Sequence, residues 1–240
     1  MSMDKPLAGV VQGSWNREVF KVAFKKSQDR AALMSQIMKK MRSGDSDEAL
    51  KDIANAKLAA ADDIEAIADL DRLELSIKLA PIMAKIRSGD VEVGIKLVDE
   101  LMQAVSPGQR SQLSIFKFRL LMQQDNKDAA AEAINQMANE ENADPQRLND
   151  VAWQVHEYAK EAPDDSKSLV AAAVAASEKA LESPQDNGYV WDTLAHLVQL
   201  QGDLDRAIEL QVKALEYPAG ATPEMKEYLE QLRKEKAERN

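Results

Sequence analysis

A chain of 240 residues with 45% hydrophobic and 30% charged side chains has the makeup of one extended folded domain or two small ones, which excludes disorder along its whole length. A net charge of −10 argues against general nucleic-acid binding, and the lack of cysteine excludes disulfides, thiol nucleophiles and thiolate metal sites. The longest apolar stretches, such as Leu169 to Ala176, fall far short of the roughly 20 residues that cross a bilayer, and no secretory h-region is visible.

Aromatic residues are only 5% of the chain, whereas Ala, Leu, Glu, Lys, Gln and Met recur throughout. These side chains lose little freedom in a helix, so helix is the expected state. At the start, Pro6, Gly9 and Gly13 interrupt a short apolar segment ahead of Ser14, which suits the N-cap of a first long helix. Residues 1–13 therefore read as a linker or the tail of an upstream domain, and 14–240 as a helical repeat domain. Residues 1–42 carry a charge of +6, leaving −16 for the rest. Solvated helix faces explain this asymmetry more simply than a docking patch.

Turn signals then follow at Ser43-Gly44-Asp45, Ser88-Gly89-Asp90, Asp125-Asn126, Pro163-Asp164-Asp165, Asp186-Asn187-Gly188 and Gln201-Gly202-Asp203. Between them the apolar periodicity is helical, with helices of about three to four turns expected and no competing β-alternation. Two stretches, Ile37 to Asp45 and Ile82 to Asp90, copy one another around a Ser-Gly-Asp turn, the signature of a repeat in which each unit buries its apolar face against its neighbours.

Small residues recur at fixed distances. Gly44 is followed by Ala49 and Ala56, Asn126 by Ala131 and Ala138, and Gly202 by Ala207 and Ala214, while Ala173 and Ala180 repeat the seven-residue pair. Both alanines of a pair fall on one face, where two helices approach closely. The unit after Gly89 has Gly94 and Leu101 instead, and looser or differently angled packing is expected there.

Over Tyr189 to Pro218 the chain resembles the tetratricopeptide repeat family. Trp191, Leu194, Ala195, Gly202, Ala207, Ala214 and Pro218 match its pattern, with the proline one residue early and with Val198 and Gln211 where the family usually has aromatics. Trp153 stands 38 residues before Trp191, as the corresponding aromatic of the preceding unit would. The match is clearest over 146–218 and degenerate over 29–143. It implies an all-α stack of helical hairpins in a right-handed superhelix. After Pro218, Thr222 as N-cap and Pro223 at the first position predict a capping helix to about Glu238.

In that family ligand peptides lie along the concave face formed by the first helix of each hairpin. The residues matching that face here are Gln154, Tyr158, Tyr189, Asp192, His196 and Gln199. Repeats that clamp acidic tails use Lys and Asn there; Asp192 departs from this, so the resemblance implies an uncharged or basic protein or peptide partner.

Residues 3–15 and the run Leu148 to Trp153 resemble bacterial redoxin proteins whose thioredoxin-like domain carries a helical C-terminal extension. That resemblance implies an upstream domain with a Cys pair, extracytoplasmic or periplasmic placement, and a non-catalytic scaffold role for these 240 residues. A free-standing repeat adaptor is the alternative.

Catalytic chemistry has little to stand on in the sequence. His156 and His196 are the only histidines, and neither has an i+4 His or a Cys partner, whereas a zinc site needs three or four ligands. Carboxylates such as Asp62, Asp63, Glu65, Asp69 and Asp71 are the ordinary charge of helix faces, and the acidic turns lack the alternating ligands of a calcium loop. No cofactor is implied. A carboxylate- or histidine-dependent hydrolase is the remaining enzymatic alternative. The ten methionines, among them Met34, Met102 and Met137, read as adaptable core packing, and Trp153 and Trp191 as packing anchors.

Overall fold

The computed structural model describes residues 17–140, 143–183, 188–218 and 221–239, all of it helix, turn or irregular chain with no strand among the described residues. The N-terminal segment 1–13, its Ser14 cap and the turn residues Asp186 and Asn187 lie outside these ranges. The helices are α1 Arg17–Ser43, α2 Ser46–Ala59, α3 Ile64–Arg87, α4 Val91–Gln103, α5 Pro107–Gln123, α6 Lys127–Ala138, α7 Pro145–Ala159, α8 Lys167–Ala180, α9 Gly188–Leu200, α10 Leu204–Ala214 and α11 Pro223–Arg239. None is long and apolar enough to cross a membrane among the described residues.

Two compact units divide between Gly94 and Ile95. In the first, α2 packs against both α1 and α3 around Ile37, Ala49, Ile53, Leu70 and Ile77. Lys57 pairs with Asp71 and Glu74, and Glu74 with Lys78 at 2.5 Å. Helices α1 and α3 have 27 and 24 residues, longer than the three to four turns expected, and α3 runs through Pro81 on an exposed face.

In the second unit α5 pairs with α6, α7 with α8, and α9 with α10, and α11 packs on α10. Helix α9 touches both α7 and α8, and α8 also packs along α6. Such a helix has little solvated surface, and α8 accordingly buries Leu169, Val170, Ala172, Ala173, Val174, Ala176, Ser177 and Ala180. Its small side chains are what allow three neighbours to approach one rod. Leu194, Leu197 and Leu232 are almost wholly enclosed, each stabilising the fold by about 2–3 kcal/mol through area removed from water.

One hydrogen-bonded corner recurs at four helix ends. The left-handed residue (Gly44, Gly89, Asp125 or Gly202) donates to the carbonyl three residues back. Its successor (Asp45, Asp90, Asn126 or Asp203) donates five residues back, as in a Schellman cap. The successor's carbonyl then accepts the amide of Ala49, Gly94, Ala130 or Ala207 respectively, starting the next helix. In the two copied segments the serines repeat as well: Ser43 Oγ donates to Lys40 O and Asp45 Oδ2, Ser88 Oγ to Lys85 O and Asp90 Oδ2.

This corner corrects one expectation and adds a detail at a second position. The left-handed residue between α5 and α6 is Asp125 at φ 55°, while Asn126 uses its side chain to cap Ala129. The alanine equivalent to Ala49 and Ala207 is therefore Ala130, fully buried, and not Ala131. Gly94 occupies the same register, and a Cβ built there lies 2.4 Å from Ile86 Cγ1. At Gly94 itself the backbone therefore comes nearer to Ile86 than an alanine would allow.

Candidate functional site

The second unit carries a groove of about 1010 Å³ walled by α7, α9, α11 and Arg119 of α5. Its α7 wall presents Gln146, Asn149, Asp150, Trp153 and Gln154, and its α9 wall Tyr189, Asp192, Thr193 and His196. Both sets follow i, i+3, i+4, i+7 spacing, so each is one stripe of a helix. The α11 side, from Thr222 to Gln231, includes Met225, Glu227 and Tyr228.

Helix α7 is held by an Asp144 cap, whose carboxylate accepts the amides of Gln146 and Arg147, and by Pro145 at its first position. Helix α11 is capped by Thr222 Oγ1, which accepts from Met225 N at 3.3 Å. The many charges of α11 suggest a solvated cap, but Met225, Tyr228, Leu229 and Leu232 form a buried stripe, so the helix closes the groove instead of merely ending the stack.

At the floor four rings meet. His196 stacks on Tyr228 with centroids 3.6 Å apart and planes 12° from parallel. On its other sides it meets His156 at 4.6 Å and the edge of Trp153 at 5.3 Å. Burial, with the positive ends of His156 and Lys160 nearby, pushes the His196 imidazole down to about 3. Burial lowers His156 as well, against the pull of Glu157. Tyr228 is raised by burial and by the charges of Asp192 and Glu235, so its hydroxyl stays protonated and donates to Gln199 Oε1 at 2.8 Å.

Asp192 is 8% exposed. Its Oδ1 accepts from Gln211 Nε2 at 2.7 Å, and the same amide donates to Met225 O at 3.1 Å, tying α9, α10 and the start of α11 together. Burial raises the Asp192 carboxyl while the Gln211 hydrogen bond lowers it. Gln211 replaces an aromatic of the resembled repeat; here it supplies that tie, leaving its own Oε1 unpartnered.

Of the six face residues expected from sequence, Gln154, Tyr189, Asp192 and His196 line the groove. The other two point elsewhere. Tyr158 reaches toward the start of α6, its hydroxyl 3.4 Å from Asp125 Oδ1. Gln199 is spent on α11, bonding both Tyr228 and Glu235. Trp153 departs from its expected role as a packing anchor: it is 38% exposed and forms part of the groove wall, whereas Trp191 packs against the core. Trp153 and Tyr228 are among the groove residues that sequence reasoning missed. The register of Trp153 with Asn149 and Asp150, and the apolar stripe of α11, were the signals that held them.

Chemically the arrangement is poor in catalytic groups. A base whose conjugate acid has a pKa near 3 takes up a proton weakly at neutral pH. The neighbouring hydroxyl, Thr193 Oγ1, donates to Tyr189 O within its own helix. Among the described residues no three His, Asp or Glu side chains converge as a metal site. Comparison with protein-family models and with curated proteins finds no match for this chain.

Proposed function

We propose that this chain is a non-catalytic binding and positioning domain of the tetratricopeptide type, which holds a segment of a partner protein in the α7–α9–α11 groove. The observation that carries this reading is the exposure of Trp153 at 38% and Tyr189 at 53% on the walls of one depression beside the stacked rings of His196 and Tyr228. Large aromatics half-open to water over a preformed groove are the kind of anchor that supplies interface energy at low entropic cost. The packing of α9 on both helices of the preceding pair supports stacking of hairpins in the manner of that family. The likeness of residues 3–15 and 148–153 to redoxin extensions supports a scaffold role beside a thioredoxin-like domain.

Site-specific photo-crosslinking in the native cell tests this. A crosslinker at Gln154 or Tyr189 should trap one protein partner, while one at exposed Glu209, outside the groove, should not. Equal trapping from all three positions, or none from the groove, contradicts the reading.

A further inference from the structure

Four carboxylates line the groove: Asp150, Asp192, Glu224 and Glu227. Elsewhere acidic side chains commonly meet a cation, as Asp99 meets Lys117 at 2.7 Å and Glu178 meets Arg206 at 2.5 Å. None of the four groove carboxylates pairs with a Lys or Arg among the described residues. Asp150 and Glu227 take amide donors from Gln146 and Gln231. The basic residue in the wall, Arg119, turns its Nε to Gln154 Oε1 at 3.3 Å.

A second observation is independent of charge. Asn149, 7% exposed and part of the same wall, leaves Oδ1 without a hydrogen-bond partner. An orphaned buried acceptor costs about 1–3 kcal/mol and is relieved by a donor brought from outside. Asp192 has no Lys or Arg beside it among the described residues. Gln211 occupies its Oδ1, while His196 Nε2 stands 3.9 Å from Oδ2 on a ring that stays neutral near pH 7 and is stacked on Tyr228. Trp153, 38% exposed and nearly perpendicular to the same His196 ring, supplies an indole to the groove wall.

Resting on the binding role proposed above, we infer that the groove takes an arginine-bearing segment of its protein partner, with the guanidinium against Trp153 and Asp192 as its counter-charge. Guanidinium suits the site better than ammonium. It is planar and stacks on an indole, and its forked donors serve separate acceptors such as Asp192 and Asn149. The acidic rim of Asp150, Glu224 and Glu227 favours approach of a basic segment and disfavours an acidic one.

The experiment uses short, end-capped, fluorescein-labelled peptides in which arginine, lysine, glutamine or glutamate alternates with glycine and serine. Anisotropy reads affinity, and the Trp153 indole N–H resonance, assigned by its loss in Trp153→Phe, reports occupancy. The arginine peptide is expected to bind most tightly, to weaken as salt rises, and to lose roughly tenfold in affinity with Asp192→Asn, the size of a charge-assisted contact. Asparagine preserves the oxygen that accepts from Gln211, and unchanged helix content and melting temperature verify the fold. A glutamine peptide that moves the Trp153 signal with equal affinity sinks the arginine inference and leaves the groove reading intact. No peptide of any charge moving that signal removes both. Self-association at low salt that Asp192→Asn abolishes would overturn the inference differently, naming the basic residues 1–42 of a second copy as the occupant.

Discussion

Tyr228 lies flat on His196, 3.6 Å between ring centroids and 12° from parallel, and this contact joins the C-terminal helix α11 to the groove wall of α9. The tyrosine is anchored at both ends of its side chain, by the stack and by its hydroxyl on Gln199. Removing only the hydroxyl with Tyr228→Phe should cost about 1 kcal/mol, whereas Tyr228→Ala should cost about 3 kcal/mol and open a void at the groove floor. Urea unfolding separates the two. Hydrogen exchange in Tyr228→Ala should rise in α11 before it rises in α8, because the lost contacts belong to the last helix.

Stability should fall on mild acidification through His196. Its native imidazole is held down at about 3 against an ordinary value near 6.5, so the unfolded chain binds the extra proton first. The contribution is fully present above pH 6.5 and is lost progressively as pH drops toward 3. One such group has a ceiling of about 1.4 kcal/mol per pH unit, and His156 acts in the same direction. His196→Phe, which keeps a ring on Tyr228, should flatten the urea midpoint between pH 6.5 and 4.5 relative to the parent protein. An unchanged slope would show that His196 is not the group responsible.

Close approach decides the effect of three small-residue substitutions. Ala207→Leu adds bulk at a position with no exposure and should cost about 1–3 kcal/mol. Gly94→Ala gains about 1 kcal/mol of helix propensity but places Cβ 2.4 Å from Ile86 Cγ1. Ile86 is β-branched and stiff at χ1, so it escapes poorly and the net change should be destabilising. Gly108→Ala meets nothing within 4 Å in the first turn of α5 and should be neutral or slightly stabilising. Thermal melts of the three give the ranking.

The recurring corner offers a comparison in which only backbone conformation differs. Gly202 has φ 86° and open space beside it, so Gly202→Ala should cost about 1 kcal/mol through left-handed strain alone. Asp125→Gly relieves the same strain at φ 55° and should stabilise by up to about 1 kcal/mol, since the ion pair with Lys127 that it removes has its carboxylate in solvent and contributes little. A destabilised Asp125→Gly protein would assign more to the Lys127 and Tyr158 contacts than exposure suggests.

The helical architecture was legible because glycine and serine-aspartate pairs mark helix ends by mechanisms that act locally. Gly44, Gly89 and Gly202 do so by adopting φ above 80°. Three breaks escaped notice: the turn at Ala60–Asp63, closed by Asp63 N on Ala60 O; the turn before Ser106, where a capping box with Gln109 and a following proline held the information; and the break before α7, marked by the Asp144 cap and Pro145. The one-residue shift at Asp125 arose because Asp and Asn both tolerate the left-handed region, and only the hydrogen bonds decide between them. The groove was half legible. Helix faces follow from spacing, so Gln154, Tyr189, Asp192 and His196 were within reach. That α11 folds back to consume Gln199 and expose Trp153's wall depends on a tertiary contact with no local trace.

The central claim is that Trp153 and Tyr189 are there to bind and not to hold the fold. The most direct measurement pairs stability with partner trapping in the Trp153→Ala, Tyr189→Ala double variant, carrying the photo-crosslinker at Gln154. Because both side chains are well exposed, unfolding free energy is expected to change by no more than about 1–2 kcal/mol while the crosslinked adduct disappears. Retention of the adduct at its original yield, or collapse of the fold in place of the loss of binding, would contradict the account.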